Sequence, residues 1–397
     1  MTDFNLIRVI KKLCKFKFTL SVPKKCDILI LDASGATILS ELCGSRSHSV
    51  LDIGRLNLPV LLATILRGHL SMADYRNSYI RWCDPRIVIT NIDNELYFFS
   101  IKSSFPKITT IAVQNGWRAN YSSKVNSGFF TALDKSDSPG CDFYCVFNRN
   151  IGNYLSRYIA TEPIVTGSVK NNTFLDNSVR QIQKTVAFIS QHPPRAVLDG
   201  LEGNFFGDTF VSDQVFYEVD LRVATYLSKF CEANDLRFVI CGKRTSDAEY
   251  ESKFFSDADL HQFASFRPRD SDYSTYELVA NSDIVVSIDS TTGYEALARG
   301  KRVAFFSIRG ELISRQIKSK IDELNFGWPL DLPDTGPFWT NTSSEAEFSR
   351  ILKYLMTASD ADWSNEIGKY TEDLMIFDPG NIVLRDLLER LGAELTN

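Results

Sequence analysis

The chain has 397 residues, 44% of them hydrophobic and 23% charged, with a formal net charge of -5 at pH 7. That length exceeds one ordinary core and suits two domains of usual size. The acidic balance argues against a nucleic-acid binder, and no apolar run approaches the roughly 20 residues that a membrane-spanning helix needs.

Near the N-terminus, Arg8, Lys11, Lys12, Lys15, Lys17, Lys24 and Lys25 are interleaved with Leu6, Ile7, Val9, Ile10, Leu13, Phe16 and Phe18. This reads as a solvated first helix packed on its own domain, with peripheral contact to the inner face of the cytoplasmic membrane as the alternative. The segment lacks the apolar core and small-residue cleavage site of a signal peptide, so the chain is expected in the cytoplasm. Candidate strands follow at Cys26–Leu31, Ser49–Ile53, Arg86–Thr90, Thr109–Val113, Phe143–Phe147 and Pro163–Val165, with helical stretches at Leu58–Arg67 and Asp74–Trp82. After the polar stretch Gly167–Gln183 comes a second set, at Thr185–Ile189, Arg237–Ile240, Ile284–Ile288 and Arg302–Phe306, with a long helix at Asp213–Ala233.

Such alternation predicts an α/β protein of two facing Rossmann-like doubly wound domains with a cleft between them. The expected division is a first Rossmann-like domain over 1–166, a hinge over 167–183 and a second Rossmann-like domain over 184–375. Residues 376–397 end in an amphipathic helix with the option of crossing back to the first domain. Eight cysteines without a C-x-x-C pair read as reduced core thiols, and four scattered histidines show no zinc-ligand spacing.

Ligands of open α/β sheets bind beyond the carboxyl ends of the strands, so the post-strand loops are the candidate site. The most informative is Asp289-Ser290-Thr291-Thr292-Gly293, a hydroxyl-rich turn between a β-branched run and a helix. Free amides in a helix's first turn, with its partial positive charge, suit a phosphate, so Ser290, Thr291, Thr292 and Gly293 form an expected phosphate seat. Glu295, one turn in, suits the hydroxyls of a ribose; plain capping by Ser290 and a favourable first-turn charge at Glu295 are the alternatives. Two further loops, Ser190-Gln191-His192-Pro193 and Gly242-Lys243-Arg244, belong on the same wall, where Lys243 or Arg244 would add charge. Phe266 to Arg269 is a further candidate, for gripping a base.

Opposite them, the first domain offers Asp93 and Glu95 after one strand and Gln114, Asn115 and Arg118 after the next. Asp93 or Glu95 suits a general base or a carboxylate nucleophile, with helix capping as the alternative; Gln114, Asn115 and Arg118 suit an acceptor or sugar. The aromatic loops Phe326–Pro329 and Gly336–Trp339 suit sugar faces or a lid, though packing against the core is commoner.

Together Ile92–Asn94, Gln114–Arg118, Thr166–Asn172, Asp289–Gly300, Phe326–Pro329 and Asp378–Asn381 resemble the bacterial surface-carbohydrate biosynthesis proteins of the GT-B class, over about residues 26–390. The resemblance implies a glycosyltransferase, similar to Kdo- and sialic-acid-type transferases that use CMP-activated donors in lipopolysaccharide or capsule assembly. It places the donor phosphate at Ser290–Gly293 and the ribose at Glu295. Relatives of the sialyltransferase type carry a His-Pro dipeptide, which His192-Pro193 matches only as a dipeptide. No D-x-D motif stands out, so metal-independent catalysis without a cofactor is expected, the nucleotide sugar and a glycan or glycolipid acceptor being the partners. The rivals are a UDP-sugar transferase or UDP-GlcNAc 2-epimerase-like enzyme, and a non-catalytic nucleotide- or glycan-binding assembly protein.

Overall fold

The computed structural model describes residues 17–69, 71–117, 122–123, 128–175, 184–191, 203–206, 209–243, 248–256, 260 and 264–394. Two six-stranded sheets, every pairing parallel, form the two halves of a GT-B fold. Among the first strands, β1 (Lys17–Thr19), β2 (Ile28–Leu31), β3 (His48–Leu51), β4 (Arg55–Asn57), β5 (Ile87–Thr90), β6 (Thr109–Val113), β7 (Ser122–Ser123), β8 (Gly140–Val146) and β9 (Ala160–Val165), the sheet order is β3-β2-β5-β6-β8-β9. The second half contributes β10 (Thr185–Ile189), β11 (Gly203–Phe206), β12 (Thr209–Ser212), β13 (Arg237–Cys241), β14 (Ala264–Arg267), β15 (Ile284–Ser287), β16 (Arg302–Phe306) and β17 (Trp339–Thr340). Its sheet runs β14-β13-β10-β15-β16-β17.

The central strands are short continuous apolar runs because helices cover both faces: β2, β5, β10 and β15 are buried at every position. Local chemistry fixes the helices between them. A reciprocal Ser71–Asp74 capping box starts Met72–Cys83, and the Ser212 side chain caps the 21-residue helix Asp213–Ala233.

The halves are tied at several places. A three-stranded antiparallel sheet, β12-β11-β7, pairs Ser122–Ser123 of the first half with Asn204–Phe205 of the second. The stretch expected as a hinge contains a short helix, Val169–Thr173; residues 176–183 lie outside the described residues. The final helix, Ile382–Glu394, sets Leu384, Leu387, Leu388 and Leu391 into the first sheet's core beside Ile28, Ile30 and Leu39.

Where the chain crosses between halves, backbone meets backbone. Gly167 has φ +67, and a Cβ there would lie 2.0 Å from the Ile376 carbonyl oxygen, so only glycine fits. Asn172 donates to Thr166 O (2.8 Å) and Asn381 Oδ1 (3.0 Å) and accepts from the Asp378 amide (3.0 Å). Asn381 returns bonds to Val169 O (3.1 Å) and Thr173 Oγ1 (3.0 Å).

Candidate functional site

The carboxyl ends of β10, β13 and β15 meet at a cleft of about 610 Å³. The second half lines it with Ser190, Gln191, Gly242, Lys243, Arg269 and Asp289–Thr292, and the first half with Asn115, Gly116 and Trp117. Three loops far apart in sequence therefore share one wall, because β13, β10 and β15 are adjacent and parallel.

The floor is the start of the Thr291–Ala298 helix. Ser290 occupies the N-cap position in extended conformation, yet its side chain makes no capping hydrogen bond. Its hydroxyl thus faces the cleft uncommitted to the helix, beside first-turn amides that an α-helix leaves without internal partners. The Gly293 amide differs from expectation: it donates to Ser290 O at 2.9 Å, so it is closing the turn. Gly293 also has a packing duty, since a Cβ there would stand 2.5 Å from Ser287 Oγ and 3.1 Å from the Phe305 ring. Across the cleft, the Trp117 amide donates to Thr291 Oγ1 at 3.3 Å.

Glu251, wholly buried on the Ala248–Ser256 helix, organises the side wall. It accepts from the Ser190 hydroxyl and from the Lys243 amide at 3.0 Å. Lys243 Nζ donates to Gln191 O at 3.1 Å, which holds the ammonium at the cavity edge. Arg269, from the Phe266–Arg269 segment, lines the same cavity and donates to Lys243 O (3.3 Å), while pairing with Asp272 (2.8 Å). Cys241 lines it too, but burial pushes its thiol up to about 12, so it is no thiolate nucleophile at neutral pH.

Beneath the floor lies a buried charge triad. Arg309, fully buried after β16, places Nη2 3.1 Å from Asp220 and Nε 2.9 Å from Asp289, the latter an ion pair without hydrogen-bond angles. Its guanidinium also covers the Phe216 ring at 4.2 Å. Burial pushes the Asp220 carboxyl up to about 6, against the pull of Arg309 and of the Gln191 amide, which donates to it at 3.0 Å. Asp289 reaches the cavity already neutralised from behind. The triad was not expected from sequence: Asp289 belongs to the expected Asp289–Gly293 turn but carried no role there, and Asp220 and Arg309 were not singled out, the one available signal being that Arg309 follows a strand.

The structure relocates several expected site residues. Glu295 is buried outside the cleft lining: the Ser168 hydroxyl donates to Oε1 at 2.5 Å, and the Tyr276 hydroxyl donates to Oε2 at 2.7 Å. Burial raises its carboxyl above the ordinary value, and these donors oppose the rise. Oε1 ties Ser168, at the start of the Val169–Thr173 helix, to the second half, and Oε2 is held by Tyr276 within that half, so no ribose reaches them in this arrangement. Asp93 is likewise wholly buried, accepting from Tyr144 OH (2.8 Å) and the Asn115 amide (3.3 Å). It holds the Gln114–Trp117 turn and is absent from the cleft lining. Glu95 pairs with Arg76 at 2.6 Å, also away from the cleft. Gln114 is buried, with Nε2 on Gly116 O (3.1 Å) and Oε1 accepting from the Phe147 amide (3.0 Å). Of Gln114 and Asn115, the expected acceptor residues that are described, Asn115 lines the cavity; Arg118, Arg244 and His192-Pro193 lie outside the described residues.

The aromatic loops pack inward. Phe326 stacks on Tyr294 (5.6 Å, 6°) and Trp328 meets Tyr154 of the first half at 4.8 Å, so they form an interdomain core. Asp270-Ser271-Asp272 has D-x-D spacing, which corrects the expectation that no such motif stands out; Asp272 is taken up by Arg269. Among the described residues, no group of three His, Cys, Asp or Glu is placed to hold a metal, and no helix is long and apolar enough to cross a membrane.

Residues 111–392, well over half the chain, match the family described as "putative O-antigen biosynthesis protein". The chain belongs to this family. The match takes in Gln114–Arg118, Thr166–Asn172, Asp289–Gly300 and Asp378–Asn381, so the O-antigen biosynthesis assignment spans both halves of the cleft. No curated protein matches the sequence. Solved structures share its fold: the wall teichoic acid polymerase TagF is 12% identical with a TM-score of 0.52, over 94% of this chain and 90% of that one. S. aureus MnaA, solved with UDP, is 12% identical with a TM-score of 0.51, over 94% and 97%. This O-antigen biosynthesis protein is therefore a GT-B-fold member of a surface-glycan family.

Proposed function

We propose that the protein transfers a sugar from a nucleotide donor to a growing surface glycan, with CMP-linked Kdo or a related 2-keto sugar acid as the leading donor. The observation that carries this reading is the uncapped Ser290 at a helix start on the cleft floor, with Lys243 and Arg269 on the adjoining wall. A CMP-linked sugar acid bears one phosphate and one carboxylate, which Lys243 and Arg269 suit once Arg269 exchanges its exposed Asp272 partner for the ligand. In this reading the Ser290 hydroxyl and the Thr291 and Thr292 amides take the phosphate, and the acceptor enters past Asn115. Breaking the glycosidic bond leaves charge on that phosphate, which the helix start and the cations stabilise.

The general base is then sought among carboxylates that reach the cavity. Asp289 is paired with Arg309, whereas Glu323 lines the cleft without an ion-pair partner among the described residues. Glu323 is our candidate for removing the acceptor proton, and Asp93 becomes a positioning residue for the Asn115 turn.

Calorimetric titration with CMP, CDP and UDP tests the donor seat. Micromolar binding of a cytidine nucleotide, weakened about tenfold or more by Ser290→Ala together with Lys243→Gln, is expected. Unchanged affinity in that variant sinks the seat assignment. Glu323→Gln should keep nucleotide affinity and lower kcat by about 100-fold or more on a CMP-Kdo donor. A product formed from UDP-N-acetylglucosamine alone would point to the epimerase reading.

A further inference from the structure

We propose that the face built by Lys17–Val22 and the Leu58–Leu66 helix docks on an anionic lipid bilayer surface. The helix is inverted relative to an ordinary surface helix: Val60 and Thr64 face inward, while Leu62, Ile65 and Leu66, at i, i+3 and i+4, are 51%, 41% and 87% exposed. Beside it, Phe18, Leu20 and Val22 are also exposed, and Met72 opens the next helix. One residue welds these pieces together. Asn57 Nδ2 donates to Ser21 O at 2.6 Å and to Thr19 Oγ1 at 3.3 Å, while Asn57 Oδ1 accepts from the Val60 amide at 3.2 Å. The apolar side chains thus form one rigid patch, of the kind that marks an interaction surface.

Charge decides the occupant. Lys17, Lys24, Arg55 and Arg67 border the patch with no carboxylate partner among the described residues. Lys24, Lys25, Arg55 and His48 line a separate cavity of about 560 Å³ against the same Thr19–Val22 segment; Asp52 also lines it and Lys25 pairs with Asp84 at 2.9 Å, which leaves Lys24 and Arg55 as the cations offered to a phosphate headgroup. In the first 25 residues seven Lys and Arg face one acidic residue, Asp3, although the chain as a whole carries -5. A second copy would bring the same cations against this face, and residues 1–16 are themselves basic, so like charge disfavours both. An anionic bilayer satisfies the cations and the apolar side chains together. The inference stands apart from the nucleotide reading, since none of these residues lines the central cleft.

Co-sedimentation of the full chain tests it, with vesicles of phosphatidylglycerol and phosphatidylcholine set against phosphatidylcholine alone. Binding to the anionic vesicles, falling with added salt, is expected. Lys24→Gln with Arg55→Gln should lower the partition coefficient by about 25-fold, at about fivefold per cation. L62S/I65S/L66S should lower it by about tenfold or more. Those side chains are exposed, so thermal unfolding should match the parent and report that the variant folds. Absent binding to anionic vesicles, binding unaffected by either variant, or a dimer in light scattering that the triple variant dissolves, would each overturn the proposal. Calorimetric nucleotide affinity, measured on the same variants, separates its failure from failure of the donor seat.

Discussion

Replacing Arg309 by Met tests whether the cleft floor rests on buried charge. The guanidinium lies between Asp220 and Asp289 at 3.1 and 2.9 Å, and both it and Asp220 are fully buried. Methionine fills comparable apolar volume against Phe216, so little is lost in packing. What is lost is compensation: Asp220 keeps the Gln191 amide at 3.0 Å and the weaker pull of the Lys243 charge. Removing one partner of a buried ion pair costs about 3–5 kcal/mol, and Asp289, which reaches the cleft, adds little to that figure. The cost depends on pH. The Asp220 carboxyl already sits at about 6 rather than its ordinary 3.8, so the folded state holds its proton more tightly than the unfolded chain. Its contribution is therefore most favourable at acid pH and is lost as pH rises through about 4 to 6. Without Arg309 that value climbs further, and protonation relieves the orphaned charge. Urea unfolding should show the full deficit at about pH 8 and a smaller one at about pH 5. Arg309→Met with Asp220→Leu should recover most of the loss. A deficit under about 1 kcal/mol, or one equal at both pH values, would refute the assignment of strain to Asp220.

Gly293→Ala should cost about 1–3 kcal/mol, because its Cβ would meet Ser287 at 2.5 Å, and lower thermal stability by several degrees in scanning calorimetry. The same variant should weaken nucleotide binding, since the helix start must back away from β15. Glu295→Leu should destabilise by about 1–3 kcal/mol, leaving the buried Ser168 and Tyr276 hydroxyls unpaired; chemical denaturation at neutral pH measures it. Were Glu295 instead a ribose ligand, its loss would register in nucleotide affinity with stability unchanged.

The sheets were legible because a strand buried on both faces has to be a short apolar run: Ile28–Leu31, Thr185–Ile189 and Ile284–Ser287 declare themselves. Edge elements carry no such constraint. β14, with Ala264–Phe266 only partly buried and Arg267 exposed, reads as a loop, and two-residue β17 offers no periodicity at all. The wall formed by Ser190, Lys243 and Ser290 was legible for a topological reason, since each residue follows a parallel strand of one sheet. Orientation within a loop was not. Asp93 and Asn115 both follow strands, yet the Tyr144 hydroxyl draws Asp93 inward while Asn115 stays in the cavity.

The residues that looked most chemical illustrate why. Glu295 stands one turn into the helix of the proposed phosphate seat, where sequence offers either a ligand carboxylate or a favourable first-turn charge. Its actual partners, Ser168 and Tyr276, come from segments 127 and 19 residues away, and no local pattern announces them. Asn172 and Asn381 are likewise polar, buried and separated by 209 residues, and they satisfy each other and the surrounding backbone at the chain crossing. A buried polar side chain requires a partner wherever the chain provides one. In a two-domain protein that partner is often on the other half, so motifs such as Thr166–Asn172 and Asp378–Asn381 record how the halves are joined. Ser290 differs from all of these in the decisive respect: it occupies a capping position, faces a cavity shared by both halves and spends its hydroxyl on no cap. A hydroxyl kept from its local use at the floor of a cleft that also carries Lys243 and Arg269 is the feature on which the proposed phosphate seat rests.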